Sequence, residues 1–182
     1  MRAFLAVEIP KKIREIVVKI QKNFEMKGIK LVEPENLHWT LKFFGEISEE
    51  DVKIIEERIK EFRFSPFEIE LKGLDAFPSK TYPKIIWIGV GSGKEEFIKF
   101  LSSINELLKD IGKKEDKEPI PHLTIARVKF FTDKERVIKL IEKFSEEIFG
   151  KMTVNKMSLY KSTLTPKSPI YEALKEFPLV KE

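Results

Sequence analysis

Two histidines are all that this chain has, and both stand in one pattern: His38-Trp39-Thr40-Leu41 and His122-Leu123-Thr124-Ile125. Each is His-x-Thr followed by an aliphatic residue. Imidazole is the side chain best suited to exchange a proton near neutral pH. Threonine accounts for 7 of the 182 residues, so chance would place one two positions after both histidines about once in several hundred such chains. On a strand, residues two apart share a face. His38 and Thr40 would project from one face while Trp39 and Leu41 enter a core, and His122 and Thr124 would repeat this over Leu123 and Ile125. Two such strands facing each other present two imidazoles and two hydroxyls to one space. The hydroxyls can donate to the non-bridging oxygens of a tetrahedral oxyanion. In-line displacement at phosphorus needs a base on the attacking side and an acid on the leaving side. Two histidines supply both when one is neutral and the other protonated.

Other chemistries fit the chain less well. A zinc site usually takes three or four protein ligands, and the chain has two His and no Cys. Glu33, Glu35 or Asp75 could complete such a site, but none has diagnostic spacing, so no metal and no cofactor are expected. There is no Gly-x-Ser-x-Gly elbow for a serine hydrolase, and that chemistry would leave the second His-x-Thr without a use. Gly91-Ser92-Gly93 lacks the Gly-Lys-Ser/Thr ending of a nucleotide-binding loop and reads as a turn.

The elements that must position the motifs follow from periodicity and punctuation. Residues 3–9 read as a strand, and Pro10 opens a helix with Ile13, Ile16, Val17, Ile20 and Phe24 on one face, stopped by Gly28. A strand over 37–44 carries the first motif. Ser48-Glu49-Glu50-Asp51 resembles a capping box ahead of a helix marked by Val52, Ile55, Ile59 and Phe62. Strands over 67–76 and 84–90 flank a turn-rich stretch, 77–83. The order then repeats. A helix carries Phe97, Leu101, Ile104, Leu108 and Ile111, a charged loop spans 112–118, and a strand over 120–128 carries the second motif. Thr132-Asp133-Lys134-Glu135 resembles a second capping box, before a helix with Val137, Ile141, Phe144 and Ile148. Strands over 152–160 and 170–177 close the chain.

The motif histidines are 84 residues apart, near half the chain. Helix, motif strand, capped helix and paired strands occur twice, the pattern of an old duplication. The fold class expected is α+β: one domain over 1–182 made of two lobes related by a pseudo-twofold axis. Each lobe would carry an antiparallel sheet flanked by helices, with the motif strands facing across a central groove.

Composition sets wider bounds. Hydrophobic residues make up 42% and charged ones 35%, enough for a packed core and unlike a disordered chain. No apolar run approaches 18 residues, so no membrane span is expected. Glu8 and Pro10 interrupt the first apolar stretch before a signal peptide could be completed. The absence of Cys fits a cytoplasmic setting. The net charge of +4 favours an anionic ligand without outlining a binding face. Abundant Lys and Glu with no Cys resembles proteins of thermophiles. A monomer is the default.

With these residues in place, the chain resembles the 2H phosphoesterase superfamily. Within it, the chain is most similar to the bacterial and archaeal RNA 2′,3′-cyclic phosphodiesterases, historically called 2′-5′ RNA ligases. The segments that carry the resemblance are Arg2-Ala3-Phe4-Leu5-Ala6-Val7, Asn36-Leu37-His38-Trp39-Thr40-Leu41-Lys42-Phe43-Phe44-Gly45 and Pro121-His122-Leu123-Thr124-Ile125-Ala126-Arg127. The tail Leu159-Tyr160-Lys161-Ser162-Thr163-Leu164-Thr165 through Pro169-Ile170-Tyr171 adds to it. The resemblance implies hydrolysis of an RNA 2′,3′-cyclic phosphate to a 2′-phosphate, with His38 as proton donor to the 3′ oxygen and His122 as proton acceptor from water. Thr40, Thr124 and Arg127 would bind the phosphate, and Phe43 is the candidate for stacking on the terminal base. Phe43 and Arg127 each lie five residues after a histidine. Strict alternation turns such a position to the far face, so a bulge would have to re-aim it. The implied partner is an RNA with a cyclic phosphate end, such as a tRNA half, or a nucleotide. Ligation to a 2′-5′ linkage is the reverse reaction and needs no nucleotide cofactor. The rival readings are a binding module for RNA ends without turnover and a phosphodiesterase acting on a small cyclic nucleotide.

Overall fold

A computed structural model describes residues 1–114 and 117–182. Glu115 and Asp116, in the expected charged loop, lie outside the described residues. The first half contains β1 (Arg2–Glu8), α1 (Lys11–Gln21), β2 (Ile29–Leu31), β3 (His38–Glu46), α2 (Glu49–Glu61), β4 (Phe67–Ser79) and β5 (Tyr82–Val90). The second contains α3 (Lys94–Leu107), β6 (Leu123–Val128), α4 (Lys134–Lys143), β7 (Ile148–Val154), β8 (Lys156–Thr163) and β9 (Ile170–Pro178).

Two antiparallel sheets result, in the orders β3-β1-β8-β9 and β2-β6-β5-β4-β7. The α+β, two-sheet architecture expected from the sequence is present. The lobes are not the halves of the chain, however. The order β3-β1-β8 in one sheet corresponds to β6-β5-β4 in the other. With the repeats counted as β1–β4 and β5–β8, so that β5 opens the second and does not close the first, each motif strand pairs with the strand that opens its own repeat, and the closing strand comes from the other repeat. A short helical pattern cannot announce this exchange, because pairing partners far apart in sequence leave no local signal.

One face of each sheet buries its apolar side chains in a shared core. Leu5, Val7, Trp39, Leu41 and Phe44 from the first sheet join Leu71, Leu74, Ile86, Ile88, Leu123 and Ile125 from the second. Helix α1 packs on β6 and β7, α3 on β3 and β4, and α4 on β4 and β5. The apolar stripes read from the sequence are the faces they bury: Ile13, Val17 and Ile20 on α1, Phe97, Leu101 and Ile104 on α3. No described helix is long and apolar enough to cross a membrane.

Local punctuation is partly as expected. Ser48 caps α2, accepting from the Asp51 amide at 3.1 Å, while Asp51 accepts from the Ser48 amide at 3.1 Å. The cap of α4 is Asp133, which accepts from the Arg136 amide at 3.1 Å, and not Thr132. Ile148 begins β7 instead of ending α4, and residues 152–160 are divided between β7 and β8. The turn-rich stretch 77–83 is mostly strand, the tip of one long β4–β5 hairpin. Gly28 does not end α1. It adopts φ +91° in the turn into β2, where a Cβ would meet the Phe130 carbonyl oxygen at 2.2 Å.

Candidate active site

His38 is the first residue of β3, and His122 directly precedes β6. Each ring is held by the same device. The His38 Nδ1–H donates to the Asn36 carbonyl at 2.5 Å, and the His122 Nδ1–H donates to the Ile120 carbonyl at 2.7 Å. In both cases the acceptor is two residues upstream, where the chain turns into the strand. A proton fixed on Nδ1 leaves Nε2 as the acceptor of the neutral ring. The Thr40 hydroxyl lies 3.0 Å from His38 Nε2 and can donate to it. Asn36 is itself buried, and its Nδ2 donates to the Pro169 carbonyl at 2.9 Å, tying the His38 turn to the segment before β9.

The odd offset of Phe43 and Arg127 is resolved by a bulge in each motif strand. On β3, Ala6 pairs with Thr40 and Leu5 with Lys42, so Leu41 has no partner on β1. On β6, Trp87 pairs with Thr124 and Ile86 with Ala126, so Ile125 has none on β5. The extra residue falls at the same place in both motifs, directly after the threonine. Leu41 and Ile125 stay in the core, and the alternation shifts by one. Phe43 and Arg127 thereby line the same groove as the histidines. The buried Gln21 of α1 braces the second bulge. Its Nε2 donates to the carbonyls of Ile125 and Val32, each at 2.9 Å.

The groove is a cavity of about 1080 Å³ lined by both histidines, both motif threonines, Phe43 and Arg127. Its other cationic linings are Arg2, Lys30, Lys42, Lys84 and Lys117, against Glu33 and Glu118 among the described residues. The modest net charge of the chain is thus concentrated where an anion would sit. Aromatic rings seat the imidazoles. Phe4 stacks on His38 at 5.0 Å between centroids, with the Tyr171 ring edge-on at 5.3 Å. His122 meets Phe77 at 5.1 Å and Trp87 at 5.7 Å. Arg2 sits over the Phe43 ring at 5.2 Å. Burial pushes the His38 pKa down to about 4. Its hydrogen bond to Asn36 and the Glu8 carboxylate oppose this, while Arg127 and His122 add to it. Glu8, opposite His38 on β1, accepts from the Tyr160 hydroxyl at 2.5 Å. Among the described residues no group of three or more His, Cys, Asp or Glu could hold a metal ion.

The sequence model of the LigT-like phosphoesterases matches this chain twice in succession, over residues 6–87 and 88–171. The chain belongs to that family. The two matches divide it between the motif histidines, close to the boundary of the two repeats. Among relatives in the LigT-like family, the RNA 2′,3′-cyclic phosphodiesterase of Methanocaldococcus jannaschii is 45% identical, aligned over 97% of this chain and 100% of its own. That of Archaeoglobus fulgidus is 44% identical over 97% of this chain and 99% of its own. The crystal structure of TT0787 from Thermus thermophilus superposes with a TM-score of 0.81 at 30% identity, covering all of both chains. Escherichia coli LigT complexed with 3′-AMP, 22% identical over 99% of this chain and 98% of its own, shares the fold with a TM-score of 0.80.

All six candidate residues read from the sequence of this LigT-like phosphoesterase, His38, Thr40, Phe43, His122, Thr124 and Arg127, line the one groove. The aromatic seats Phe4, Tyr171, Phe77 and Trp87, the brace Gln21 and the carbonyl anchors were not singled out. Main-chain carbonyls carry no residue signature. The offset of 84 residues pairs Gln21 with Asn105 on α3, which also lines the groove, and that correspondence was the available signal.

Proposed function

We propose that the protein hydrolyses the 2′,3′-cyclic phosphate at an RNA 3′ end, leaving a 2′-phosphate, with His38 and His122 as its acid and base. The observation that carries this reading is the pair of imidazoles anchored alike through Nδ1, both lining one cationic groove together with the two motif threonines. The names of the relatives at 45% and 44% identity support the substrate. In the proposed reaction His122 Nε2 takes a proton from water as the water oxygen bonds to phosphorus. The bond from phosphorus to O3′ breaks, and the proton on His38 Nε2 goes to O3′. Thr40 and Thr124 donate to the non-bridging oxygens, and Arg127 offsets their charge. Phe43 stacks on the terminal base.

The low His38 pKa bears on the donor role. With the groove empty, His38 is neutral at pH 7. A bound phosphate anion would offset Arg127 and raise the His38 pKa from this value, the direction the donor role requires. Attack by a 5′-hydroxyl in place of water would give a 2′-5′ linkage by the same steps. The size of the groove, about 1080 Å³, exceeds what one small nucleotide fills and favours RNA over a free cyclic nucleotide.

The test is an RNA oligomer ending in a 2′,3′-cyclic phosphate, incubated with the protein in EDTA. A 2′-phosphate product is expected. Activity abolished by EDTA and restored by one metal would overturn the metal-free mechanism. His38→Ala and His122→Ala are each expected to lower turnover by about 10²- to 10⁴-fold with an unchanged circular dichroism spectrum. Near-native turnover in either variant would rule out the two-histidine assignment.

A further inference from the structure

We propose that the tip of the β4–β5 hairpin is a second subsite, which holds single-stranded RNA on the 5′ side of the reacting nucleotide. The inference rests on the RNA-end reading above and extends it to the length of RNA preferred. Tyr82 opens β5 and is 49% exposed. Its ring meets Phe131, just past β6, edge-on at 5.8 Å. Two lysines cap the pair. The Lys134 Nζ lies 4.7 Å from the Tyr82 centroid and 5.7 Å from that of Phe131. The Lys84 Nζ lies 5.8 Å and 5.6 Å from the same two rings. Among the described residues neither lysine is paired with a carboxylate. Single-stranded nucleic acid is bound by this combination, with bases stacked on aromatic faces and phosphates on cations.

Position links the cluster to the site. Lys84 also lines the catalytic groove. Strand β5 runs from Tyr82, through Ile85 paired with Arg127, to Trp87 against His122. The five steps from Tyr82 to Trp87 span about 17 Å, the reach of a few nucleotides. The cluster is also held in place. The Gly28 carbonyl accepts from the amides of Lys129 at 2.7 Å and Phe130 at 3.3 Å, and Lys84 Nζ donates to the Lys129 carbonyl at 3.4 Å. A chain leaving the histidines along β5 would meet Arg127, Lys84 and then the Tyr82–Phe131 pair.

The experiment compares kcat/KM for a mononucleoside 2′,3′-cyclic phosphate and for a hexanucleotide with the same end, in wild type, Tyr82→Ala and Tyr82→Phe. Wild type should favour the hexanucleotide, and Tyr82→Ala should lower that preference by about tenfold. The mononucleotide rate and the melting temperature of Tyr82→Ala should not change. Tyr82→Phe keeps a stacking face and should keep the preference. Equal preference in wild type and Tyr82→Ala, or none in wild type, would overturn the proposal. Equal loss on both substrates would assign Tyr82 a structural role and overturn it too. Should neither substrate be turned over, the reading of the catalytic site fails, and binding of a 3′-phosphorylated hexanucleotide still decides the subsite: weaker binding by Tyr82→Ala supports it, and equal binding rejects it.

Discussion

His38 titrates at about 4 in the folded chain, against about 6.5 for an unperturbed imidazole. Between these values the unfolded chain binds the proton and the native one does not. The stability that neutral His38 lends is therefore complete above pH 6.5 and is lost as the pH falls through 4. Its full extent is about 3 kcal/mol. In denaturant titrations, His38→Gln should lose less stability than wild type between pH 7 and pH 4.5, and an equal loss would show that the ring is not held neutral. Chemistry offers a second check. A bell-shaped rate profile cannot tell which histidine is acid, because either assignment gives the same bell. In His122→Ala, however, the residual kcat/KM follows His38 alone. It should fall as the pH rises above about 4 if His38 donates, and a fall below 4 instead would exchange the two roles. That these residues share one groove was legible from type and spacing, since two histidines and two matched threonines leave little choice. What holds them was not. The Asn36 and Ile120 carbonyls and the rings of Phe4 and Phe77 act through geometry that no side-chain pattern encodes.

At the scale of elements, the helices and the Ser48 cap were the most readable parts, because their signals are local. Ser48 closes both bonds of its capping box, and Ser48→Ala should cost about 1 kcal/mol and lower the melting temperature by about 2–4 °C. The short strand β2 escaped notice, having only three residues, and Ile148 joined a helical stripe by coincidence of spacing. The paired bulges were anticipated only as a requirement. Their placement after each threonine comes from strand register, which depends on distant partners. Gln21 supports one of them from outside the sheet. Gln21→Ala should cost about 1–3 kcal/mol, because the Val32 carbonyl loses its side-chain donor and a buried site is emptied. The same change should raise KM by loosening Arg127, and an unaltered KM would confine Gln21 to stability.

Across the whole molecule, among the described residues a large apolar core joins both sheets, beside a smaller cluster of Phe4, Ala6 and Tyr160, and each sheet takes strands from both repeats. The protein should unfold in one transition, with calorimetric and van't Hoff enthalpies equal. A fragment of residues 1–91 has β4 and β5 without β6, and β1 without β8. Alone it should show no cooperative melting, and co-expression with residues 92–182 should restore it. A stable isolated fragment would contradict one folding unit. The repeat was readable as an order of elements, but the exchange of strands was not. That exchange has a consequence for lineage. A polypeptide with one copy of the repeat could build such a groove only as a strand-swapped homodimer, its reaction centre on the symmetry axis. Both fifth positions would then be identical, and the dimer would read a phosphodiester the same way in either direction. Fusing the copies lets one side carry Phe43 and the other Arg127. On the proposed function, the joined chain can therefore distinguish which way its substrate points.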